Sequence, residues 1–289
     1  IAEGAAETVV ISYGSTTRAD LKKGRRTANL NFGNRGPVQF DVPYGHTLIA
    51  KYAMVAQRHM HEFGTTIEQL AEIAVSARYN AKDNPEAYYR DPLTIDDVLS
   101  SPMVADPFTA LQCCIRSDGG AAVVITSEER ARDCAKAPVW ILGTGEAVSH
   151  TTMSEWDDFT ESPAVRSGKH AFDRAGLTPD DVDICQLYDA FTGMVLLTLE
   201  ALGFCKKGEG GPFVEDGKLR LGGALPTNTD GGGLSSCHPG MRGMFLMVEA
   251  VKQLRGECGE RQVPDAKVAC VSGTGGWFSS AATLLLGTD

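Results

Sequence analysis

No apolar run in these 289 residues approaches the length of a transmembrane helix. Nor is there an excess of basic charge. The 27 Lys and Arg against 37 Asp and Glu leave a formal charge of −10, which argues against nonspecific binding to nucleic acid or to an anionic membrane. No secretory leader is expected, and no Cys-x-x-Cys pair suggests zinc. The eight cysteines are scattered through apolar segments, with Cys113 and Cys114 adjacent, so a disulfide framework is not expected. Together these absences predict a cytoplasmic protein with reduced thiols and no resident metal. The first residue is not methionine, and Ile1–Ala6 reads as the end of a helix entered midway, as in a fragment or in a chain whose natural front lies outside these residues.

What is present is ordinary globular material, with 43% hydrophobic and 22% charged residues, in a chain long enough for one large domain or two of usual size. A short buried strand, Thr8–Gly14, is followed by an irregular region. It holds the basic cluster Lys22, Lys23, Arg25 and Arg26, read as a solvated loop, and a Gly/Pro-rich run from Gly33 to Gly45. Helical spacing dominates from Thr47 to Ala81, with a capping signature in Thr65–Ala74. His59 and His61 stand two apart and therefore face different sides of that helix, which favours packing over metal binding. Asp91–Pro107 reads as a loop with a short helical signal.

From Leu111 a strand, an Asp118-Gly119-Gly120 turn and a buried strand Ala121–Ile125 lead to a charged helix at Ser127. Lys136–Pro138 reads as a boundary. Val139–Ser149 opens a second strand set; its Gly143-x-Gly145 lacks the rest of a dinucleotide fingerprint and is read as a turn. A helix between Glu161 and Gly176, the strand Ile184–Leu187 and a helix from about Ala190 to Leu202 follow. Tyr188 and Asp189 thus sit where a strand ends and a helix begins, the usual place for catalytic groups in α/β folds. The last segment, Ala266–Gly287, has a Gly-Gly turn followed by an Ala-Ala strand. This echoes Asp118–Ala122 and suggests an internal duplication.

The densest chemistry is in Pro226–Gly243, PTNTDGGGLSSCHPGMRG, just before a helical run from Met244 to Gly256. Consecutive glycines at 231–233 let the backbone take positive φ and approach a bound group, and the start of a helix offers free N–H groups. His238 can donate a hydrogen bond to developing negative charge or move a proton near neutral pH. The plain alternative is a glycine turn with a histidine capping the helix.

Asn228-x-x-Gly231-Gly232 followed by His238-Pro239 resembles the N-x-x-G-G-x-x-x-x-G-H-P block of the thiolase superfamily. Cys237 stands where that family usually has glycine, and the run after Pro239 is about one residue shorter. Two further blocks resemble the family in the right order. Tyr188-Asp189-Ala190-Phe191 stands where the family has N-E-A-F or H-D-C-F, and Ser272–Gly276 stands where it has a final C-x-G-x-G loop. The resemblance is to the lipid-transfer-protein, SCP2-type branch. It implies an α/β thiolase fold of two duplicated βαβαβαββ halves, each with a five-stranded sheet, the first half incomplete at its N-terminus. The halves would be residues 1–137, with an inserted loop and helical region at about 33–107, and residues 138–289.

The same resemblance implies roles. His238 and Tyr188 would be the catalytic pair, His238 donating to a thioester or enolate oxygen and Tyr188 supplying a second donor or taking part in proton transfer. Gly273 and Gly275 would be backbone donors of a second oxyanion hole. Asp189, Asn228 and Cys237 are further possible participants, and Gly231 and Gly232 are expected to approach coenzyme A. Two departures bear on the reaction: the family's nucleophilic cysteine would lie before Ile1, and Val271 occupies the place of its acid/base cysteine. Cys270 is one residue early, and in a strand that offset turns a side chain to the other face. Tyrosine in place of Asn/His and the missing cysteine favour retro-aldol cleavage of a 3-hydroxyacyl-CoA, such as a steroid side chain. The alternatives are a thiolase with a cysteine in the unseen segment and a noncatalytic scaffold subunit. Coenzyme A would enter only as part of substrate and product. A homodimer with a small OB-fold partner of the DUF35 type is expected, without nucleic acid or membrane.

Overall fold

The computed structural model describes residues 1–24, 35–45 and 47–289. Arg25 and Arg26 of the basic cluster lie outside the described residues. The elements in the first part are β1 (Thr8–Ser15), α1 (Thr17–Lys22), α2 (Leu48–Phe63), α3 (Ile67–Ala81), α4 (Ile95–Ser100), β2 (Met103–Ala105), β3 (Phe108–Thr109), β4 (Gly119–Thr126) and α5 (Glu128–Arg132). They are followed by β5 (Trp140–Val148), α6 (Ala164–Ala175), β6 (Ile184–Leu187), α7 (Thr192–Leu202), α8 (Gly210–Val214), α9 (Gly243–Leu254), β7 (Val268–Gly275) and β8 (Ser280–Gly287).

Ile1–Ala6 is a turn rather than a helix end; Gly4 at φ +72 interrupts it after the Gly4 N–H has met the Ile1 carbonyl. The predicted helical region splits into α2 and α3 at Gly64, whose φ of +74 closes α2 with a left-handed cap. Thr66 then opens α3 with a capping box: its hydroxyl accepts from Gln69 N at 3.2 Å while Gln69 Oε1 accepts from Thr66 N at 2.9 Å. His59, buried on α2, bonds Thr65 and the Glu200 carboxylate through its two ring nitrogens, as a packing residue does.

Among the described residues the sheets are smaller than five strands. β1 pairs antiparallel with β4 from Thr8↔Thr126 to Ser15↔Gly119, and the second half holds a four-stranded sheet in the order β5-β8-β7-β6, with only β6 and β7 parallel. Among the described residues between β1 and β4 only the short β2–β3 pair is strand, and it does not join that ribbon. In the second half a fifth strand is begun and then lost. Cys185 N donates to Pro226 O and Asn228 N donates to Cys185 O, a single parallel bridge, before Asn228 turns away at φ 52. That bridge covers the outer edge of β6, which is why all four of its residues are buried.

The Gly143-x-Gly145 segment is not a turn. Both glycines lie inside β5, where a Cβ would overlap the carbonyls of Ala171 and Ser167 on α6, so they allow the helix to lie directly on the strand. On the opposite face α9 packs through Leu246, Ala250 and Leu254 against Ile184, Ala269, Val271 and Leu286. The other core runs continuously from α2 and α3 through α7 to Cys185, Leu187, Cys270 and Leu285, so side chains from before and after residue 137 share one interior. α7 is buried on almost every side within it.

Candidate active site

β6 delivers Tyr188. Its backbone N–H donates to Ser272 O on the neighbouring β7 at 3.0 Å, and the N–H of Leu187, one residue earlier, donates to Asn228 Oδ1 at 2.8 Å. Asn228 therefore holds the end of β6 through its side-chain oxygen. An asparagine suits a left-handed residue whose short side chain must also bond locally.

The glycine triplet comes next, and its role differs from the expected approach to coenzyme A. A Cβ at Gly232 would overlap the Asp189 carboxylate, one at Gly231 would overlap Ala81, and both glycines have positive φ, +67 and +101. Their amides already have partners: Gly231 N donates to Asn228 O, and Gly232 N to Asp230 Oδ1. Gly233 N donates to Asp189 Oδ1 at 2.8 Å and Leu234 N to Oδ2 at 3.2 Å. The triplet thus wraps the buried side chain of Asp189 in one turn of π-helix over Gly232–Ser236, and it leaves no open anion cradle.

That turn leads to His238. Its backbone N–H donates to Ser117 Oγ at 2.9 Å, and its Nε2 lies 3.1 Å from Tyr188 Oη, with the two rings edge to face at 80°. The histidine does not cap α9, which starts five residues later. Cys237 turns its thiol to Ser117 Oγ at 3.3 Å, away from the pair. Burial, then the charge of Arg242, pushes the His238 imidazole down to about 4, so at neutral pH the ring is uncharged and one nitrogen is free of a proton. Burial, with Cys114, Tyr52 and Asp189 nearby, pushes the Tyr188 phenol well above its ordinary value, so it remains a neutral O–H. Asp189 rises to about 6 because it is buried, against the opposing pull of Arg242 and the Gly233 N–H.

Arg242 is the residue that sequence reading missed. It is completely buried, donates through Nη2 to both oxygens of Asp230 at 2.6 Å and through Nη1 to Cys237 O at 2.6 Å, and sets Nε 3.6 Å from Asp189 Oδ1. A single arginine at the entry of a helix carries no signal in the sequence; the signal is the pair of aspartates it meets.

The third element is a cavity of about 730 Å³ between β1, the start of α9 and the strands β5, β7 and β8. Val271, Gly273 and Gly275 line it together with Tyr13, Met241 and Met244, while its lining among the described residues does not include Tyr188 or His238. Cys270 points the other way, into the core, opposite Cys185 on β6. At Gly273 a Cβ would meet nothing within 4 Å and φ is not positive, so neither packing nor backbone conformation requires glycine there. Among the described residues no group of three or more His, Cys, Asp or Glu could hold a metal ion, and no helix is long and apolar enough to cross a membrane.

Residues 145–288 match the family described as "Thiolase C-terminal domain-like". Over 84% of its length the chain is 39% identical to a protein named acetyl-CoA acetyltransferase from Methanothermobacter thermautotrophicus, of which it spans 64%. Over 95% of its length it is 37% identical to 17-hydroxy-3-oxo-4-pregnene-20-carboxyl-CoA lyase of Mycobacterium tuberculosis, of which it spans 73%. Among solved structures, one described as Ltp2-ChsH2(DUF35) aldolase superposes with a TM-score of 0.88 at 34% identity, covering 99% of this chain and 74% of that one.

Proposed function

This chain belongs to the thiolase superfamily, and within it we propose that the protein is a carbon–carbon lyase that cleaves a 3-hydroxyacyl-CoA by a retro-aldol reaction. The observation that carries the proposal is the hydrogen-bond contact between Tyr188 Oη and His238 Nε2, a neutral phenol against a neutral imidazole. Such a pair can relay a proton, with the imidazole holding the positive charge only while the negative enolate exists. The 3-hydroxyl gives its proton through Tyr188 to His238, the C2–C3 bond breaks, and its electron pair moves into the thioester as an enolate. The proton then returns to C2. A short acyl-CoA and a ketone or aldehyde leave, with atoms and charge balanced. The enolate oxygen needs donors already in place; Gly273 and Gly275 line a cavity that Tyr188 and His238 do not line, so their part as those donors requires the substrate to reach both places.

Retro-aldol cleavage needs no acyl-enzyme. Two positions favour it over thiolysis: Val271 at the cavity wall in place of a thiol, and Cys270 buried on the far face. The printed names of a pregnene-carboxyl-CoA lyase and an aldolase among the similar proteins support a bulky alicyclic acyl group. A DUF35-type partner is proposed on the same ground. A homodimer is supported by the ribbon β1–β4, where Val10 and Val124 are each 64% exposed. A cytoplasmic location is proposed from the cysteine usage.

The test is turnover of a 3-hydroxyacyl-CoA with and without free coenzyme A, with the partner protein present. Retro-aldol cleavage proceeds at the same rate without it. An absolute requirement for free coenzyme A would replace the proposal with thiolysis.

A further inference from the structure

Arg242 reaches the residue that precedes His238 and the residue that follows Tyr188. One planar guanidinium holds the Cys237 carbonyl, faces the Asp189 carboxylate and is anchored by both oxygens of Asp230. Asp189 in turn holds the turn that leads to His238 through Gly233 N and Leu234 N. The two halves of the Tyr188–His238 contact come from distant parts of the chain, and the same cation braces each of them.

We propose that Arg242 is a positioning residue for the reaction: it fixes where His238 and Tyr188 meet. Its side chain and the His238 ring both lie against Gly233, so after burial its positive charge is what opposes protonation of the imidazole. The proposal rests on the reading of Tyr188 and His238 as the reacting pair. The titratable and charged groups gathered around the pair are Tyr52 from α2, Cys114 from the segment before β4, and Asp189 after β6. Asp230 and Cys237 come from the glycine-rich turn, and Arg242 from the entry of α9. Arg242 is the cation of this group. A lysine would keep the charge but cannot span three acceptors with one planar fork.

Three variants test this by two measurements: the pH titration of His238 in the full chain by NMR of labelled histidine, assigned by its loss in His238→Asn, and kcat/KM against pH. Arg242→Lys is expected to leave the His238 midpoint within about 0.5 unit and to lower kcat/KM by roughly tenfold to a hundredfold, because a small misplacement of reacting groups is costly. Arg242→Gln is expected to raise the midpoint by about 1 unit or more, carrying the acid limb of kcat/KM with it. Should Arg242→Gln fail to fold, Asp230→Asn/Arg242→Gln removes the paired charges, leaves Asp189 held by the N–H groups of Gly233 and Leu234, and is expected to show the same upward shift. A folded Arg242→Gln or Asp230→Asn/Arg242→Gln variant whose His238 midpoint is unchanged would overturn the proposal. So would Arg242→Lys with kcat/KM within twofold of the parent. Failure of the parent reading looks different: Tyr188→Phe would turn over normally while the His238 titration still responded to Arg242.

Discussion

Tyr188 Oη lies 3.1 Å from His238 Nε2, although 50 positions separate the two residues in the chain. The contact is built from the end of β6 on one side and the π-turn around Asp189 on the other. Because both partners are neutral, either can donate the hydrogen bond, depending on the imidazole tautomer.

Tyr188→Phe keeps the ring and its packing but removes the hydroxyl. Turnover is expected to fall about 100-fold or more, since one lost donor to developing charge costs about 3 kcal/mol, with the melting temperature nearly unchanged. His238→Ala should lose at least as much. Steady-state rates and thermal melts on the same preparations separate this from a core role, in which stability drops and turnover per folded molecule holds.

Acid stability should carry opposing signatures of His238 and Asp189. The His238 value falls to about 4 in the folded protein from 6.5, so its contribution is complete above pH 6.5 and is lost as pH falls through that window. Asp189 rises to about 6 from 3.8, so its contribution is complete at low pH and is lost as pH rises through 6. The two partly cancel between these limits. Asp189→Asn keeps an acceptor for the Gly233 N–H but removes the second contribution. Its melting temperature should therefore fall more steeply than the parent's as pH is lowered from 6.5 to 4. Identical slopes in the two proteins would contradict the burial of an ionisable Asp189.

Two glycine substitutions should behave in opposite ways. Gly273→Ala meets open space and no adverse φ, so it should fold with parental stability and lose activity by about tenfold if substrate lies against that backbone. Gly232→Ala runs into Asp189 at φ +67 and should lose at least about 2 kcal/mol of stability. Denaturant melts together with rates distinguish the two. Equal stability loss at both sites would mean that position 273 is structural.

Cys270→Ala should remain active within about twofold and lose roughly 1 kcal/mol of stability, as expected for a small truncation in a packed core. A loss of about 100-fold in rate with unchanged stability would restore the cysteine to the chemistry.

By itself the sequence determined the order and type of the elements that carry the site. The strand Ile184–Leu187 and the helix after it are legible because apolar periodicity and flanking turn residues are local properties. The opposite facing of Cys270 and Val271 was also legible, because strand side chains alternate whatever surrounds them. Tertiary structure decided what those residues meet. The glycines at 231 and 232 read equally well as a ligand cradle or as a socket, and only the arrival of Ala81 at Gly231 and of Asp189, 43 positions earlier in sequence, at Gly232 makes them a socket. Gly143 and Gly145 read as a turn until α6 lies across them. The fifth strand failed at one residue, Asn228, whose side chain closes β6 in place of a ladder. Arg242 had no local signal at all, because the meaning of a buried charge lies in partners brought from elsewhere in the chain.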